Sequence, residues 1–383
     1  MNQFVLLSKI NVQNANAVSG FTWGFPAITH FLGFTHNLAR KASIKQNYSD
    51  LKLDGCAVIA HNQETQTYEN FDVEFTQTRN PPYLKSHECN VTPPIIEEGR
   101  MNMTVSLLIG LEGNLGNRKT EFINWLNSAC LTQRLAGGTI TNKKIDIEIY
   151  SIEEKKNINL IKRRLIPGFI LIDRSNYLCK HYKSLKNDEL LDAWMDFSAI
   201  KKKARPKCNL ISKQLKIAAK EQNSTSLLNM WNQHLQKPYS ADIDKAITEY
   251  FDKLKDEINK EVYQQWQNYR NPDENTDAVW ETIPKPNSGY LVAIMTGYKA
   301  ISGLYEAGKI DGARDTTTPV VFVEAVHSIG EWKSPHRIED FTKCLWFYHS
   351  MDNWYLCKQK SENEVETSAE LAEIDNYDEY NFY

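Results

Sequence analysis

The sequence lacks the motifs by which the common enzyme classes are recognised. It contains no P-loop, no G-x-S-x-G elbow, no H-E-x-x-H zinc motif and no G-x-G-x-x-G dinucleotide fingerprint. It also lacks an apolar run long enough to span a bilayer. Its start, MNQFVLLSKINV, has no basic n-region and no small-residue cleavage site. We therefore predict a chain without a cofactor, a secretory signal or a membrane partner.

Cysteines are few and widely separated. The seven of them lie at positions 56, 89, 130, 179, 208, 344 and 357, and no pair, with or without a histidine, has the spacing of a zinc site. An odd and scattered set is typical of reduced thiols in a cytosolic protein. The sequence thus predicts a cytoplasmic protein without a structural metal.

Histidines are also scattered, and only two of them suggest chemistry. His30 and His36 lie six residues apart on a predicted helix, so they do not share a face. Either could serve as the general base of a metal-independent ribonuclease by taking a proton from a 2′-hydroxyl. An ordinary helix histidine is the simpler interpretation, since the sequence assigns neither a Ser, Tyr or Lys partner. We predict no enzyme, and a ribonuclease using His30 or His36 is the alternative.

Charge is unevenly distributed along the chain, although the net charge is only −3. Residues 361–383 hold eight acidic residues and no Lys or Arg, and their low hydrophobicity predicts a disordered tail. By contrast, residues 155–220 hold 17 lysines and arginines against five acids. Such a block is typical of a polyanion-binding surface. The alternative is a solvated basic face that the acidic tail balances.

Hydrophobic periodicity predicts an α+β body. Strand, helix, two strands, helix and strand follow one another up to about residue 151, which is the element order of an RRM or ferredoxin-like βαββαβ domain. Two glycines, at 137 and 138, are interpreted as the stop of the second helix. The strand-like segments are 4–12, 56–61, 71–75, 103–111 and 145–149, one more than this order contains, and the predicted helices are 26–41 and 121–135.

A change of period divides the rest of the chain. Residues 184–270 have the periodicity of consecutive helices, whereas strand-like segments resume at 289–298, 319–332 and 341–350. We therefore predict four regions. They are an RRM-like ferredoxin domain at 1–175, an inserted helical subdomain at 176–275, a C-terminal β-containing part of the body at 276–360 and an acidic disordered tail at 361–383.

Two short segments of the first region carry residues suited to RNA. The amide-rich turn offers side chains that bind phosphates and base edges, although an ordinary Asx turn is the simpler interpretation. In the segment RLAGGT an arginine precedes two glycines, which let a polyanion backbone approach closely, although a plain glycine C-cap is again simpler. Together the two segments supply Gln13, Asn14, Asn16, Arg134, Gly137 and Gly138.

Two basic clusters are further candidates for phosphate contacts. The first flanks a predicted apolar strand at 169–172, and the second lies between two predicted helices. Both clusters suit a polyanion, and both are also compatible with plain solvated surface. The first consists of Lys162, Arg163, Arg164 and Arg174, and the second of Lys201, Lys202, Lys203 and Arg205.

Four parts of the chain together resemble one family. They are KINVQNANAVSGFTWGFPAITHFLGFTHNL, TVSLLIGLEG followed by RLAGGTI, GYLVAIMTGYKAISGLYEAGKIDGARDTTTPVVFVEA, and SIGEWKSPHRI. They are similar to the second Csy subunit of type I-F CRISPR complexes, the Cas-five member of the RAMP superfamily. The matches span about residues 5–340, and four of them in the right order are specific.

The resemblance implies a non-catalytic subunit of an RNA-guided DNA surveillance complex, with an RRM-like body and a thumb-like extension. Such a subunit grips the 5′ handle of crRNA and caps the backbone filament. Its partners are crRNA, the backbone Cas-seven-type subunits and a large subunit that reads the PAM. On this chain, the amide-rich turn and the RLAGGT segment become RNA contacts. The first basic cluster, 162–164 and 174, becomes the RNA-binding part of the thumb region.

The long basic helical middle departs from the family pattern. A variant of the system lacks the large subunit, and there an enlarged helical domain of this subunit takes over PAM reading. In that case Lys201, Lys202, Lys203 and Arg205 would face double-stranded target DNA. Two alternatives stay open: helices that only dock a separate large subunit, and a scaffold whose basic block binds an acidic protein.

Overall fold

The chain folds into two compact units. A computed structural model describes residues 1–69, 73–79, 92–185, 189–221, 223–237, 242–255, 257–313 and 315–360. The larger unit comprises the chain up to Ser198 and again from Pro286 onward, and the smaller unit comprises Ala199–Lys285. Helices and a large antiparallel sheet both occur, so the predicted α+β class is confirmed.

The strands and helices are numbered in chain order. The strands are β1 (Gln3–Asn16), β2 (Val18–Ser19), β3 (Thr22–Trp23), β4 (Lys52–Thr65), β5 (Thr67–Glu69), β6 (Val73–Phe75), β7 (Gln77–Arg79), β8 (Ile95–Glu97), β9 (Arg100–Glu112), β10 (Arg134–Leu135), β11 (Gly138–Ile140), β12 (Asp146–Ser151), β13 (Phe169–Asp173), β14 (Lys202–Pro206), β15 (Ala278–Thr282), β16 (Leu291–Ala300), β17 (Val323–Lys333), β18 (Trp346–Met351) and β19 (Trp354–Gln359). The helices are α1 (Ile28–Ile44), α2 (Lys119–Leu131), α3 (Lys155–Arg164), α4 (Ser175–Ser184), α5 (Leu190–Ser198), α6 (Asn209–Glu221), α7 (Ser226–Leu235), α8 (Lys245–Lys253) and α9 (Lys260–Arg270).

Four long strands form the centre of the sheet in the larger unit. In space they follow the order β12–β1–β9–β4, and every neighbouring pair is antiparallel. Along the chain α1 follows β1, and α2 follows β9. Further strands enlarge the sheet to eleven, with β13, β17, β16, β19 and β18 continuing beyond β4. The sheet is thus much larger than the four strands expected, and the narrower RRM assignment stays a prediction.

The two faces of this sheet are buried to different extents. Alternate residues of β1 point to opposite faces, so that Leu7 packs in a core with α1 and α2 while Phe4 and Leu6 pack in a second core with Ile161 of α3. The first core continues along β1 as far as Ala15, whereas the second ends at Leu6. Beyond that point, the second face carries polar side chains.

The amphipathic pattern of α1 explains why the first face is covered. Phe31, Phe34 and Leu38 recur at helical spacing and are buried in the first core. Burying three side chains of this size contributes roughly 1.5–3 kcal/mol each. The predicted helix at 26–41 is therefore confirmed, with observed bounds of Ile28–Ile44.

The smaller unit is a cluster of four helices with one two-stranded ladder. The helices α6 to α9 surround a core in which Trp231, Trp266, Phe251 and Tyr269 are fully buried. The strands β14 and β15 pair antiparallel. Of the helices between 176 and 275, α4 and α5 belong to the larger unit, and α6 to α9 belong to the smaller one.

Two predictions about local structure were wrong in the larger unit. The second helix ends at Leu131, and the residues predicted as its last turn form the β10–β11 hairpin instead. The glycine C-cap interpretation fails for the same reason, because Gly137 lies in the hairpin turn. The sequence also gave no indication of α3, because only Ile158 and Ile161 of its ten residues pack in the second core.

The cluster at 201–205 lies between α5 and α6, as predicted, and its residues from Lys202 onward form most of β14. Two other local predictions lie wholly or partly outside the described residues. The strand predicted at 71–75 is described only as β6 from Val73 onward, and the tail at 361–383 is not described.

The cysteines in the described part of the chain carry free thiols. Burial raises the pKa of the Cys56 and Cys357 thiols to about 12, so these groups stay protonated at neutral pH. Among the helices that the structure describes, none combines the length and the apolar character needed to cross a bilayer.

Candidate nucleic-acid interface

Half of the second sheet face is polar and open. One row across the sheet joins Asn11 of β1 to Thr104 of β9 and Asn62 of β4, and the next joins Asn102 of β9 to Glu64 of β4. These side chains are exposed or half-buried. We call this surface the polar sheet face, and it consists of Lys9, Asn11, Gln13, Asn14, Asn62, Glu64, Asn102 and Thr104.

Hydrogen bonds hold the amides of the polar sheet face in place. The Thr104 hydroxyl donates to Asn11 Oδ1 at 2.9 Å, and Gln66 Nε2 donates to Asn14 Oδ1 at 2.6 Å. The backbone N–H of Asn14 donates to Asn102 Oδ1 at 3.2 Å. Because the amide oxygens of Asn11 and Asn14 accept within the face, their amide N–H groups remain as donors toward a ligand.

The sequence analysis missed Asn11, Asn102 and Thr104, although a signal for them exists. In MNMTVS, polar residues alternate with apolar ones over the first half of β9, and the second half of β9 is continuously apolar. This switch from alternation to an unbroken apolar run indicates a strand whose second face is half open.

A buried network lies where the polar sheet face meets the second core. The backbone N–H of Lys9 donates to Ser106 Oγ at 2.9 Å, Ser106 Oγ lies 2.7 Å from His61 Nε2, and His61 Nδ1 lies 2.5 Å from the carbonyl oxygen of Pro167. A carbonyl oxygen only accepts, so Nδ1 donates and Nε2 accepts from the Ser106 hydroxyl. Burial lowers the pKa of His61. Because Ser106 is 0% exposed, this Ser–His pair is structural.

The β10–β11 hairpin attaches to the same end of β1. β11 pairs with Val12 and Gln13 of β1. Ala136 and Gly137 form the two-residue turn, with φ angles of +50° and +76°, as a type I′ turn requires. A Cβ atom on Gly138 would lie 2.6 Å from the carbonyl oxygen of Gln13, so the hairpin approaches β1 this closely only through a glycine. The two segments predicted to bind RNA therefore meet at one end of the sheet.

The side chains of Asn16 and Arg134 differ in the hydrogen bonds that they already make within the protein. The Asn16 side chain bonds the backbone N–H and carbonyl of Val18, both at 3.0 Å, so the Asx-turn interpretation fits this residue. Arg134 is exposed, and its guanidinium donates to the Gly137 carbonyl at 3.4 Å. Asn16 thus shapes the end of the face, while Arg134 presents charge on it.

Exposed cations surround the hairpin. Lys9, Arg134, Lys143 and Lys144 are exposed, and no ion pair is found for them in the part of the chain that the structure describes. The Asn142 side chain donates to the Lys9 carbonyl at 3.1 Å, which ties the loop carrying two of these lysines to β1. The polar sheet face therefore has a positive rim, as a phosphate backbone requires.

Lys162, Arg163 and Arg164 lie away from this end of the sheet. They form the last turn of α3, where Arg163 is exposed and Arg164 pairs with acidic side chains of β12, including Asp146 at 3.7 Å. Asp146 pairs with Ser8 of β1, and four residues, about 13 Å of strand, separate Ser8 from Val12, the first residue that pairs with β11. The structure thus does not bring this cluster together with the hairpin.

Two of the predicted nucleic-acid contacts form ion pairs within their own units. Arg174 lies 2.6 Å from the carboxylate of Glu331, and both side chains are largely buried. Arg205 is 3% exposed, and its guanidinium contacts the Glu281 carboxylate at 2.7 Å and the Tyr269 hydroxyl at 2.9 Å. Both arginines stabilise the unit they belong to, a role that the sequence did not predict.

The remaining lysines of the second cluster lie on the edge of β14. Lys202 and Lys203 are exposed, and Lys201 is half-buried with its carbonyl accepting from the backbone N–H of Ile283 at 2.9 Å. The ladder with β15 continues from Lys202 to Pro206. The side chains of Lys202 and Lys203 therefore extend from a paired strand that lies between α5 and α6.

Neither catalytic candidate lies on the polar sheet face. His30 and His36 belong to α1, which packs on the first face. Burial lowers the pKa of His30, whose Nδ1 lies 3.3 Å from the Ala27 carbonyl oxygen. His36 is exposed and lies edge-on to the Tyr348 ring. Within the described residues, no group of three or more His, Cys, Asp or Glu side chains could hold a metal ion.

Comparisons with known proteins agree on one family. The profile of the family described as CRISPR-associated protein (Cas_Csy2) matches residues 5–357. The chain is also 29% identical over 363 residues to CRISPR-associated protein Csy2 of Pseudomonas aeruginosa (strain UCBPP-PA14), an alignment that covers 90% of this chain and 91% of that protein. The chain therefore belongs to the Csy2 family of CRISPR-associated proteins, the second Csy subunits of type I-F complexes.

Proposed function

We propose that this chain is a non-catalytic subunit of an RNA-guided DNA surveillance complex that binds the 5′ handle of crRNA. The polar sheet face and the β10–β11 hairpin form the RNA-binding surface. One observation carries the proposal: two segments about 120 residues apart, each suited to RNA by its own sequence, are joined by the pairing of β11 with Val12 and Gln13.

The chemistry of this surface suits a single-stranded RNA with a defined sequence. The amides of Asn11, Gln13 and Asn14 donate to and accept from base edges, which are accessible only where bases are unpaired. Arg134 supplies a charged contact to phosphate. The hairpin turn at Gly137 has nothing within 4 Å of where a Cβ would lie, so an RNA backbone can approach the peptide there.

The first basic cluster has a smaller part in this proposal than the resemblance implied. Lys162 and Arg163 would contact the RNA backbone at a distance from the handle, along the end of α3. Arg164 and Arg174 are assigned to ion pairs with acidic side chains. Their charge is therefore already partly neutralised, and we leave them outside the RNA-binding surface.

The proposal includes the other partners of a filament-capping subunit. They are the backbone Cas-seven-type subunits, a large subunit where the system has one, and target DNA. The DNA contact is assigned to Lys202 and Lys203 with Lys201 beside them, because the first two are exposed on β14. Arg205 is left out, since its side chain is buried.

A double substitution tests the RNA-binding surface. We expect Gln13→Ala with Arg134→Ala to weaken binding of crRNA to the chain, assembled with its partner subunits, by about 30-fold or more. The loss should become smaller when the handle is scrambled, because the base contacts of Gln13 depend on sequence whereas the phosphate contact of Arg134 does not. Arg40→Ala removes an equal charge from the exposed side of α1 and serves as the control. Unchanged affinity for the native handle in the double variant would sink the proposal.

The alternative function is a ribonuclease that uses His30 or His36. Incubation of the protein with repeat RNA, without metal, distinguishes a ribonuclease from a non-catalytic subunit. We expect no cleavage by the wild type. Cleavage that is lost in His30→Ala or His36→Ala would establish the alternative, and cleavage that survives both would point to a contaminating nuclease.

A further inference from the structure

The ribbon formed by β14 and β15 has one face fixed to the helical core of the smaller unit. Residues opposite each other in an antiparallel pair share a face, and so do residues two apart. Arg205 and Glu281 lie on the fixed face, where the arginine contacts Tyr269 and the backbone carbonyl of Lys237. These contacts make the ribbon rigid and determine which way its other face is directed.

The other face of the ribbon presents one large side chain. Ala204 pairs with Trp280, and Lys202 pairs with Thr282, so that Lys202 is a diagonal neighbour of the indole. Trp280 is 67% exposed. Its ring makes no aromatic or cation–π contact within the described residues, and the small alanine opposite leaves the indole uncovered.

The segment of chain that begins with β14 is strongly positive. From 201 to 220 the chain has eight lysines and arginines and no acid. Two of the eight, Arg205 and Lys207, pair with acids of β15 and the preceding loop. Exposed lysines follow on α6, and Lys213, Lys216 and Lys220 recur on one side of that helix. A polyanion complements the charge of such a surface. An acidic protein would also suit the lysines, but it gives no reason for the exposed indole of Trp280.

We propose that Trp280 is a stacking residue for an unpaired base of single-stranded nucleic acid, and that Lys202, on the same face of the ribbon, contacts a neighbouring phosphate. An indole stacks on any exposed base, and flanking lysines follow the backbone. A base inside a duplex has both faces covered by its neighbours, so the ligand is a strand that is already separated. The inference rests on the proposed DNA contact of β14 and extends it from duplex to opened target.

The test uses the full chain assembled with crRNA and partner subunits. Two DNA probes of one sequence are compared, a fully paired duplex and a duplex with an unpaired stretch beside the target. We expect Trp280→Ala to weaken binding of the opened probe by about 5- to 150-fold, the range for loss of one stacked base, and to leave the paired probe unchanged. Trp280→Phe should retain most of the affinity, which also controls for folding.

The joint variant Lys202→Ala with Lys203→Ala separates the two proposals. Weaker DNA binding in this variant with normal binding in Trp280→Ala would overturn the stacking role and leave the DNA contact standing. Normal binding in both would overturn both. If Trp280→Ala instead releases a partner subunit while DNA binding per assembled complex is unchanged, the indole is a protein contact and the inference is wrong.

Discussion

At the residue scale, Gly138 determines how closely the hairpin lies against β1. A Cβ at this position would come within 2.8 Å of the Ala15 nitrogen and 2.6 Å of the Gln13 carbonyl oxygen, both of them backbone atoms. We expect Gly138→Ala to lower the free energy of unfolding by about 1–3 kcal/mol, as overpacking does, and to weaken handle binding as the hairpin moves. Urea unfolding followed by circular dichroism measures the first effect.

Gly137 provides the matched control for that substitution. Its φ is +76°, and nothing lies within 4 Å of where its Cβ would be. Asn tolerates this conformation, so we expect Gly137→Asn to stay within about 0.5 kcal/mol of the wild type. Equal destabilisation by the two substitutions would show that backbone conformation, not close approach, governs this turn.

His234 makes the stability of the smaller unit depend on pH. Its Nε2 lies 2.9 Å from the Tyr269 hydroxyl, and its ring stacks on Trp231. Burial, followed by the charge of Arg205, lowers the pKa of His234. The unfolded chain therefore takes up the proton first as pH falls below about 6.5. This contribution to stability is complete above that pH, and it is lost at up to about 1.4 kcal/mol per pH unit below it.

Urea unfolding between pH 8 and pH 5 checks this dependence. The difference in unfolding free energy between wild type and His234→Gln should shrink as the pH falls below 6.5. If the difference in unfolding free energy between wild type and His234→Gln stays constant, the His234 imidazole of the wild type titrates alike in the folded and unfolded states, which contradicts the prediction.

At the element scale, the β14–β15 ribbon carries two kinds of cation. Arg205 is buried and stabilises the smaller unit, whereas Lys203 is exposed. Arg205→Ala removes contacts to Glu281 and Tyr269. We expect it to cost about 2–3 kcal/mol, less than breaking a fully buried pair, because Glu281 is partly exposed. Lys203→Ala should cost less than about 0.5 kcal/mol. Unfolding of the two variants in urea makes the comparison, and equal costs would contradict the assignment of Arg205 to the core.

Elements with a long and regular pattern could be predicted, and short ones could not. The sequence predicted α1 because its apolar residues recur over more than ten positions, and it predicted β9 because the run at 103–111 is mostly apolar. It missed the β10–β11 hairpin, because strands of two and three residues are too short to show periodicity and Arg134–Leu135 continued the helical pattern of α2. It missed α3 because only Ile158 and Ile161 of its ten residues pack in the second core, and cations form its last turn, Lys162 to Arg164.

At the scale of the whole molecule, the family could be identified from sequence and the site only in part. Four ordered segments pointed to the family, which the profile match over 5–357 confirms. Gln13 and Gly138 meet because β1 pairs with β11. No local sequence pattern indicates that pairing. The burial of Arg205 likewise depends on Tyr269, which is 64 residues away.

Salt dependence tests the positive rim as a unit. Each phosphate contact of a single strand contributes about −0.7 to the slope of log affinity against log salt concentration. The four rim cations, Lys9, Arg134, Lys143 and Lys144, therefore predict a slope of about −3. We expect Arg134→Ala to reduce its magnitude by about 0.7 and Arg40→Ala to leave it unchanged. Equal slopes for wild type and Arg134→Ala would remove this arginine from the interface.

The most direct test of the central claim is photocrosslinking of crRNA to the chain in the assembled complex, with the sites mapped by mass spectrometry. The RNA carries a photoreactive nucleotide at each position of the 5′ handle in turn. We predict crosslinks in 9–16 of β1, 102–104 of β9 and 134–144 of the hairpin and its loop. Handle crosslinks confined to the end of α3 or to the smaller unit, with none in these three segments, would contradict the account.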